Sequence, residues 1–425
     1  MVGVVRDSDQ SEDALGELKE LLRTAGVATA GELIQRRSEP DPNLYLGKGK
    51  LAELKREVQA ANANVVATDD ELAPRQERNL EQELGVAVID RTAVILDIFA
   101  DHAHSAEGKL QVELAQLEYN LARMRGLWTH LERLGAGRID GGIGTRGPGE
   151  SQIETDRRLA RDRITALRRR LERVGGNRAV MRARRERAAL PSVALAGYTN
   201  AGKSTLLNAL TGAGVGVGER LFETLDPTTR AFTEDGRRYL LTDTVGFIRK
   251  LPHQLVEAFK ATLEETVLAD LIVQVVDGSE PERARLASVA AADSVLEEIG
   301  AGSKPRLLVM NKVDLLDDEE RRELALRHRD AVLVSAETGE GLGTLREKIA
   351  DQIRTSLTEV ELLVPFAHGE WLSELHEVAG DLEREDREDG VLVRALLPAA
   401  VAERFSDLAV NGRGGERRAA EAGRD

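Results

Sequence analysis

One nonapeptide constrains this chain more than anything else in it. Gly197-Tyr198-Thr199-Asn200-Ala201-Gly202-Lys203-Ser204-Thr205 follows directly on the apolar run at 193–196 and opens into a leucine-rich stretch at 204–210. The pattern G-x-x-x-x-G-K-[ST] between a strand and a helix is a phosphate-binding loop. Its glycines let backbone N–H groups turn inward around phosphate oxygens, and the helix N-terminus adds positive potential. Lys203 would reach the β- and γ-phosphates, and the Ser204 hydroxyl would ligate Mg²⁺. Such a loop exists only at a strand–helix junction, so the surrounding region has to be an α/β sheet structure.

Three shorter motifs follow in an order that fits this loop. Asp243-Thr244-Val245-Gly246 closes an apolar strand at 239–242. An acid at that strand end can hold Mg²⁺ through water, and the Gly246 N–H can meet the γ-phosphate. Asn311-Lys312-Val313-Asp314 ends the strand at 306–310. The Asp314 carboxylate can accept two hydrogen bonds from guanine, at N1–H and the exocyclic amino group. Adenine offers neither donor in that arrangement, which argues against an ATP-using kinase or ATPase. Ser335-Ala336-Glu337 follows the last strand, where a backbone N–H can meet guanine O6. Between the phosphate loop and Asp243 lies Phe222-Glu223-Thr224-Leu225-Asp226-Pro227-Thr228-Thr229-Arg230. A switch segment here needs a hydroxyl that completes Mg²⁺ coordination when the γ-phosphate is present. Thr224, Thr228 and Thr229 all qualify by position.

Strand–helix alternation extends through both ends of the chain. Strands are expected at 2–5, 65–67, 86–89 and 93–98, with helices carrying Leu15, Leu18, Leu21 and Leu22 and spanning 51–61. In the phosphate-loop region, strands at 193–196, 239–242, 271–276, 306–310 and 331–334 alternate with helices at 204–210, 254–266, 282–298 and 342–353. Strands at 360–366 and 390–396 flank a helix at 371–382, and 411–425 reads as a frayed tail. Between these regions, Leu110, Leu114, Leu117, Leu121, Met124, Trp128 and Leu131 keep a strict heptad seam. Ile153, Ala160, Ile164, Leu167, Leu171 and Val174 make a second. The intervening 135–149 holds seven glycines and a proline in fifteen residues, which no helix tolerates. The expected architecture is α/β: an N-terminal α/β domain at 1–104, a long antiparallel helical hairpin with a glycine-rich tip at 105–188, a P-loop domain at 189–357 and a small C-terminal α+β domain at 358–425.

Charge is distributed unevenly. Over 425 residues, 59 Lys and Arg oppose 74 Asp and Glu, a net of −15 that on its own argues against a nucleic-acid binder. Yet 157–187 holds thirteen arginines against Asp162, Glu172 and Glu186, a local +10, while 351–425 nets −8. Arginine forks pair with phosphate, so the basic arm suits an RNA backbone, although paired acids elsewhere could instead solvate it. Cysteine is absent, which excludes disulfides, Cys-ligated zinc and thiol nucleophiles. No apolar run reaches the roughly 20 residues of a membrane span.

The ordered motifs resemble those of the TRAFAC GTPases, and Phe222 to Arg230 with DTVGF and NKVD resembles one family, the HflX GTPases. The likeness extends beyond that domain. Gly47-Lys48-Gly49-Lys50, Asp70-Glu71-Leu72-Ala73-Pro74-Arg75-Gln76, Asp90-Arg91-Thr92, Gln111-Val112-Glu113-Leu114-Ala115-Gln116-Leu117 and Gly141-Gly142-Ile143-Gly144-Thr145-Arg146-Gly147-Pro148-Gly149-Glu150 all look like HflX signatures. Ala73 stands where that family would have serine; because the chain opens in a strand, the N-terminal extension of some relatives is expected to be missing. The resemblance implies GTP and GDP as ligands with Mg²⁺, and Thr224 as the switch ligand of the metal beside Ser204 and water-bridged Asp243. It adds Phe222, Glu223, Leu225 and Asp226 to the nucleotide-contacting set and makes Lys203, Thr224 and Gly246 the catalytic residues. It also implies a partner: the large (50S) ribosomal subunit and the 70S ribosome, with the hairpin probing ribosomal RNA and stalled ribosomes split or rescued under stress. A monomer is expected, cytoplasmic, with a fraction peripheral to membranes.

Other readings stand apart from these motifs. Phe247 occupies the place where many GTPases carry a glutamine that orients the attacking water. Phenylalanine can do neither half of that task, so intrinsic hydrolysis should be slow and a partner should stimulate it. His102-x-His104 lacks a carboxylate companion and reads as solvent-facing rather than metal-binding. Asp69-Asp70-Glu71 reads as a loop or helix start. A scaffolding module whose GTPase domain only gates protein contacts is the rival of another class, and the arginine run argues against it.

Overall fold

The computed structural model describes residues 1–5, 14–135, 148–187, 190–212, 214, 221–250, 255, 260–379 and 382–410. Two compact units are present: residues 1–175 with 218–226 and 248–261, and residues 176–217 with 227–247 and 262–425.

The first unit opens with alternating strands and helices: β1 (Val2–Val5), α1 (Gly16–Thr24), β2 (Leu33–Arg36), α2 (Lys48–Ala60), β3 (Val65–Thr68), α3 (Pro74–Leu84), β4 (Ala87–Asp90) and α4 (Arg91–His102). The four strands pair in parallel in the order β2-β1-β3-β4, over a core that includes Val2, Leu33, Leu54, Val66, Leu80 and Val88. Pro74 opens α3, and the Gln76 carboxamide accepts the Ala73 N–H at 2.9 Å. With alanine in place of the expected serine, that bond is one half of a capping box.

The expected strand at 93–98 is instead the middle of α4. A short run this apolar, broken only by Asp97, has no clear period to separate strand from helix. Asp90 decides the matter: its carboxylate accepts the Ala93 N–H at 2.9 Å and caps the helix. Short β2 and α3 were not anticipated by the pattern.

Two long helices follow, α5 (Ala106–Gly135) and α6 (Pro148–Arg187), the arms of the hairpin; the first unit holds α5 and α6 up to residue 175. Leu110, Leu114, Leu117 and Leu121 meet Ile164, Leu167 and Leu171 in one seam. Arg163 and Arg168 pair with Glu113 and Glu118 at 2.6 and 2.7 Å, so part of the basic arm is tied to the first helix. Arg158, Arg161, Arg169 and Arg170 are exposed. The glycine-rich tip at 136–147 and the side chains of Trp128, Leu131, Ile153 and Arg178 to Arg187 lie outside what is described, as does the tail beyond 410.

The middle of the first arm is fastened to the end of β4 by buried charge. Arg123 donates to Asp90 at 2.6 Å, to Glu77 at 2.8 Å and to the Leu72 carbonyl at 3.0 Å. The Tyr119 hydroxyl donates to the other Asp90 oxygen at 2.8 Å. Asp90 is fully buried and serves four partners, the N–H groups of Leu72 and Ala93, the Tyr119 hydroxyl and Arg123. Asp90→Ala should therefore strand Arg123 and uncap α4, costing about 3–5 kcal/mol. Urea unfolding that loses less than about 1 kcal/mol would show that the network is redundant.

The second unit carries β5 (Ser192–Gly197), α7 (Lys203–Thr211), β6 (Thr228–Glu234), β7 (Arg237–Asp243), α8 (Lys260–Leu268), β8 (Leu271–Asp277), α9 (Glu282–Glu298), β9 (Arg306–Asn311), α10 (Asp318–Arg327), β10 (Val332–Leu333) and α11 (Leu342–Thr355). The sheet order is β10-β9-β8-β5-β7-β6, parallel except for the antiparallel edge strand β6. Central β8 is buried along almost its whole length and apolar but for Gln274 and the terminal Asp277, as suits a strand covered on both faces. Strand β6 was unforeseen, since its threonines read as switch loop; α10 was missed because it has almost no apolar face.

A three-stranded antiparallel sheet, β11 (Leu357–Val364), β12 (Leu382–Asp386) and β13 (Val391–Pro398), is ordered β11-β13-β12 and packs on α12 (Gly369–Ala379) and α13 (Ala399–Arg404). The expected helix at 371–382 stops earlier, and Leu382 begins a strand. Its charged run Glu383-Arg384-Glu385-Asp386 suits an exposed edge.

Candidate active site

Backbone geometry explains the glycines of the phosphate loop. Gly197 has φ +148°, and a Cβ there would stand 2.1 Å from the Val275 carbonyl. Gly202 has φ +89°, with Asn311 Nδ2 at 2.2 Å from the same imaginary atom. The loop is strapped to the segment after Asp243: Thr199 N–H donates to the Phe247 carbonyl at 2.8 Å, and Phe247 N–H donates to the Gly197 carbonyl at 3.0 Å. Gly246 is forced by this closeness, because a Cβ would lie 2.8 Å from Thr199 Cα.

Lys203 begins α7 and is buried, its Nζ donating to the carbonyls of Gly197 at 3.1 Å and Tyr198 at 2.8 Å. Burial pushes its ammonium down to about 8, against the opposing pull of Asp243. The Ser204 hydroxyl donates to Asp243 at 2.6 Å, and the Asp243 carboxylate is fully buried. A hydroxyl and a carboxylate side by side are the hard oxygen donors that suit Mg²⁺, so these residues fit the metal that a triphosphate brings. The Thr244 hydroxyl donates to the Leu195 carbonyl at 2.7 Å and fixes the strand end, while Val245 is buried.

Asn311 joins three motifs. Its Nδ2 donates to the Ala201 carbonyl at 2.9 Å, and its Oδ1 accepts the Ala336 N–H at 3.0 Å. Lys312 takes φ +64° and pairs with Asp277 at 2.7 Å, which turns the chain into the 3₁₀ turn holding Asp314. Ser335 is buried; its hydroxyl accepts the Thr338 N–H at 3.1 Å, and its own N–H donates to the Glu340 carbonyl at 3.0 Å. Glu337 is exposed. Thus the phosphate loop, Asp243 to Gly246, Asn311 to Asp314 and the Ser335 loop all lie at the carboxyl ends of β5, β7, β9 and β10, where open α/β sheets bind ligands.

The switch residues belong to the first unit, and most of their side chains are engaged there. Phe222, at φ +59°, is buried with its ring edge-on to Phe99 at 4.6 Å. Its carbonyl meets His102 Nδ1 at 2.8 Å, and Leu221 N–H donates to the Thr24 hydroxyl at 3.3 Å. Leu225 is buried, and Asp226 accepts from Ser105. Thr224 is half-buried and Glu223 exposed. Of the rival threonines, Thr228 and Thr229 sit in β6, where the Thr229 hydroxyl bonds that of Thr242 at 2.9 Å.

Sequence reasoning missed a second grip. Asp69 and Asp70, at the carboxyl end of β3, hold Lys250 at 2.9 and 2.5 Å, and Asp69 also pairs with buried Arg91 at 2.8 Å. Glu17 takes Arg91 at 2.7 Å and Arg249 at 2.9 Å. These groups line a cavity of about 330 Å³. His102 serves Phe222, and no group of three or more His, Asp or Glu side chains that could hold a metal ion occurs among the described residues.

Four family models match in chain order: "GTP-binding GTPase N-terminal" over 12–100, "GTP-binding GTPase Middle Region" over 102–185, "50S ribosome-binding GTPase" over 192–312 and "HflX C-terminal domain" over 322–407. GTPase HflX of Lacrimispora saccharolytica is 45% identical over 407 residues, covering 95% of this chain and 93% of that protein. The Caldanaerobacter subterraneus protein of the same name is 45% identical over 405 residues, covering 95% and 92%. That of Escherichia coli K12 is 44% identical over 402 residues, covering 94% and 93%. Likeness at this level, over nearly the whole of both partners, leaves one assignment: the chain belongs to the HflX family of GTPases, with GTP, GDP and Mg²⁺ as its ligands.

Proposed function

We propose that this GTPase is a switch that binds the large ribosomal subunit in its GTP form and splits or rescues stalled ribosomes. What supports the reading is that one chain carries both the nucleotide motifs at the carboxyl ends of β5, β7, β9 and β10 and an exposed arginine face on α6. A 50S-binding description of the matching family model over 192–312 points the same way. A ribosomal partner assigns the chain to the cytoplasm, acting as a monomer; no helix among the described residues is long and apolar enough to cross a membrane.

In this reading Lys203 carries the β- and γ-phosphate charge, and the Gly246 N–H donates to a γ-phosphate oxygen. Ser204, Thr224 and water-bridged Asp243 hold Mg²⁺, which neutralises developing charge on the phosphates when bound. Asp314 reads guanine N1–H and the exocyclic amine, and we assign the Glu337 N–H to O6. Phe247 is fully buried, and both its backbone groups are bound to the phosphate loop. It therefore stiffens the loop and leaves the orientation of water to a partner.

Purified 50S subunits should raise GTP turnover by at least about tenfold, the effect expected when a missing group is supplied in trans. Turnover that ignores subunits and ribosomes would sink the proposal. Neutralising Arg158, Arg161, Arg169 and Arg170 together should abolish pelleting with 50S in a non-hydrolysable GTP analogue. A scaffold that only gates protein contacts would be unaffected.

A further inference from the structure

The residues on either side of Thr224 are tied to the hairpin root. Asp226 accepts the Ser105 N–H at 2.8 Å on one oxygen and the Ser105 hydroxyl on the other. That hydroxyl in turn accepts the Gly108 N–H at 2.8 Å in the first turn of α5, so Ser105 caps the helix and holds the carboxylate at once. Packing is tight: a Cβ on Gly108 would stand 2.6 Å from the same Asp226 oxygen. Two residues before Thr224, Phe222 is fixed by Phe99 and His102.

We infer that Asp226 is a positioning residue for the GTP-bound state, holding Thr224 in place through Ser105 and the start of α5. The inference rests on Thr224 being the switch ligand of Mg²⁺. A hydroxyl needed only when a γ-phosphate is present must be ordered at that moment, and a segment anchored two residues away on each side has little left to order. Asp226 itself touches no phosphate in this scheme. It acts through the backbone of Leu225 and Thr224, and it makes the capped end of α5 part of the switch.

Such a role separates GTP from GDP, which a merely structural tie would not. Asp226→Asn and Gly108→Ala should each weaken a fluorescent non-hydrolysable GTP analogue in saturating Mg²⁺ by about tenfold, the order of one lost charge-assisted hydrogen bond. GDP affinity should stay within about twofold, and Ser105→Thr, which keeps the hydroxyl, should stay near the parent for both ligands. Gly108→Ala displaces the carboxylate without altering its chemistry, so it keeps the test open if Asp226→Asn fails to fold. Thr224→Ala run alongside separates the two claims. If it weakens the analogue but neither Asp226→Asn nor Gly108→Ala does, the tie has no positioning role. Equal loss of GDP and analogue affinity in the tie variants overturns it too. If Thr224→Ala changes nothing, the ligand assignment falls, and this inference with it.

Discussion

Lys203→Ala should lose GTP and GDP alike, by about two to three orders of magnitude in a fluorescent-nucleotide titration. The ammonium is buried and donates to two loop carbonyls, Gly197 and Tyr198. It is a charge stored where phosphate oxygens are to arrive, and removing one partner of such a desolvated pair costs about 3–5 kcal/mol. Lys203→Arg should rescue little, because a planar guanidinium does not fit a space shaped for a compact ammonium. The pH dependence has a definite sign. Burial holds the free lysine at about 8, whereas bound phosphate favours the charged form and raises it. Above pH 8 the free protein must therefore take up a proton to bind, so affinity should fall as pH rises from 8 to 9, by at most about tenfold. Affinity for both nucleotides that is flat across this window and unchanged in Lys203→Ala would remove the lysine from the phosphate site.

The second large effect is a change of base. Asp314→Asn should lower GTP affinity by about two to three orders of magnitude and confer binding of xanthosine triphosphate. A site built to receive two N–H donors rejects a base that lacks them, since its buried acceptors are then left without partners. Exchanging the carboxylate for an amide reverses one donor–acceptor pair, and xanthine, with a carbonyl where guanine has its amine, matches the new pattern. Lys312→Ala is a gentler control: it removes the 2.7 Å pair with Asp277 and should weaken both bases equally. Unchanged GTP affinity in Asp314→Asn would end the assignment of guanine recognition to this residue.

The nucleotide-binding region was legible in the sequence because its chemistry is local. Each motif is a strand end followed by a turn, and the spacing of Gly197, Gly202, Lys203, Gly246 and Asn311 records close approaches that only those residues permit. Elements with a clean period, such as β1, α9 and the two hairpin arms, were legible for the same reason. Where the period vanished, reading failed. The run 93–98 is buried except at Ala93 and Asp97 and became α4 through one capping aspartate that lies 29 residues from another of its partners, Tyr119. Thr228 and Thr229 look alike as loop or strand until β7 supplies a neighbour. The grips on Phe222, Asp226, Arg249 and Lys250 join residues more than a hundred positions apart, and no local pattern encodes them. One hint was present: three acids in a row at 69–71 with no apolar periodicity are better explained by distant cations than by a helix start.

The fastening of α5 by Arg123, Tyr119 and Asp90 has a mechanical consequence. A long arm joined to its base by a flexible linker would dissipate any push as rotation about the joint. Here the joint is a desolvated network that gives way only by breaking several hydrogen bonds together, so the arm behaves as a cantilever. A load applied farther along α5 is delivered as torque to the end of β4 and to the start of α4, whose other end grips Phe222. Stiffness of this kind turns a distant touch into a displacement at the switch segment.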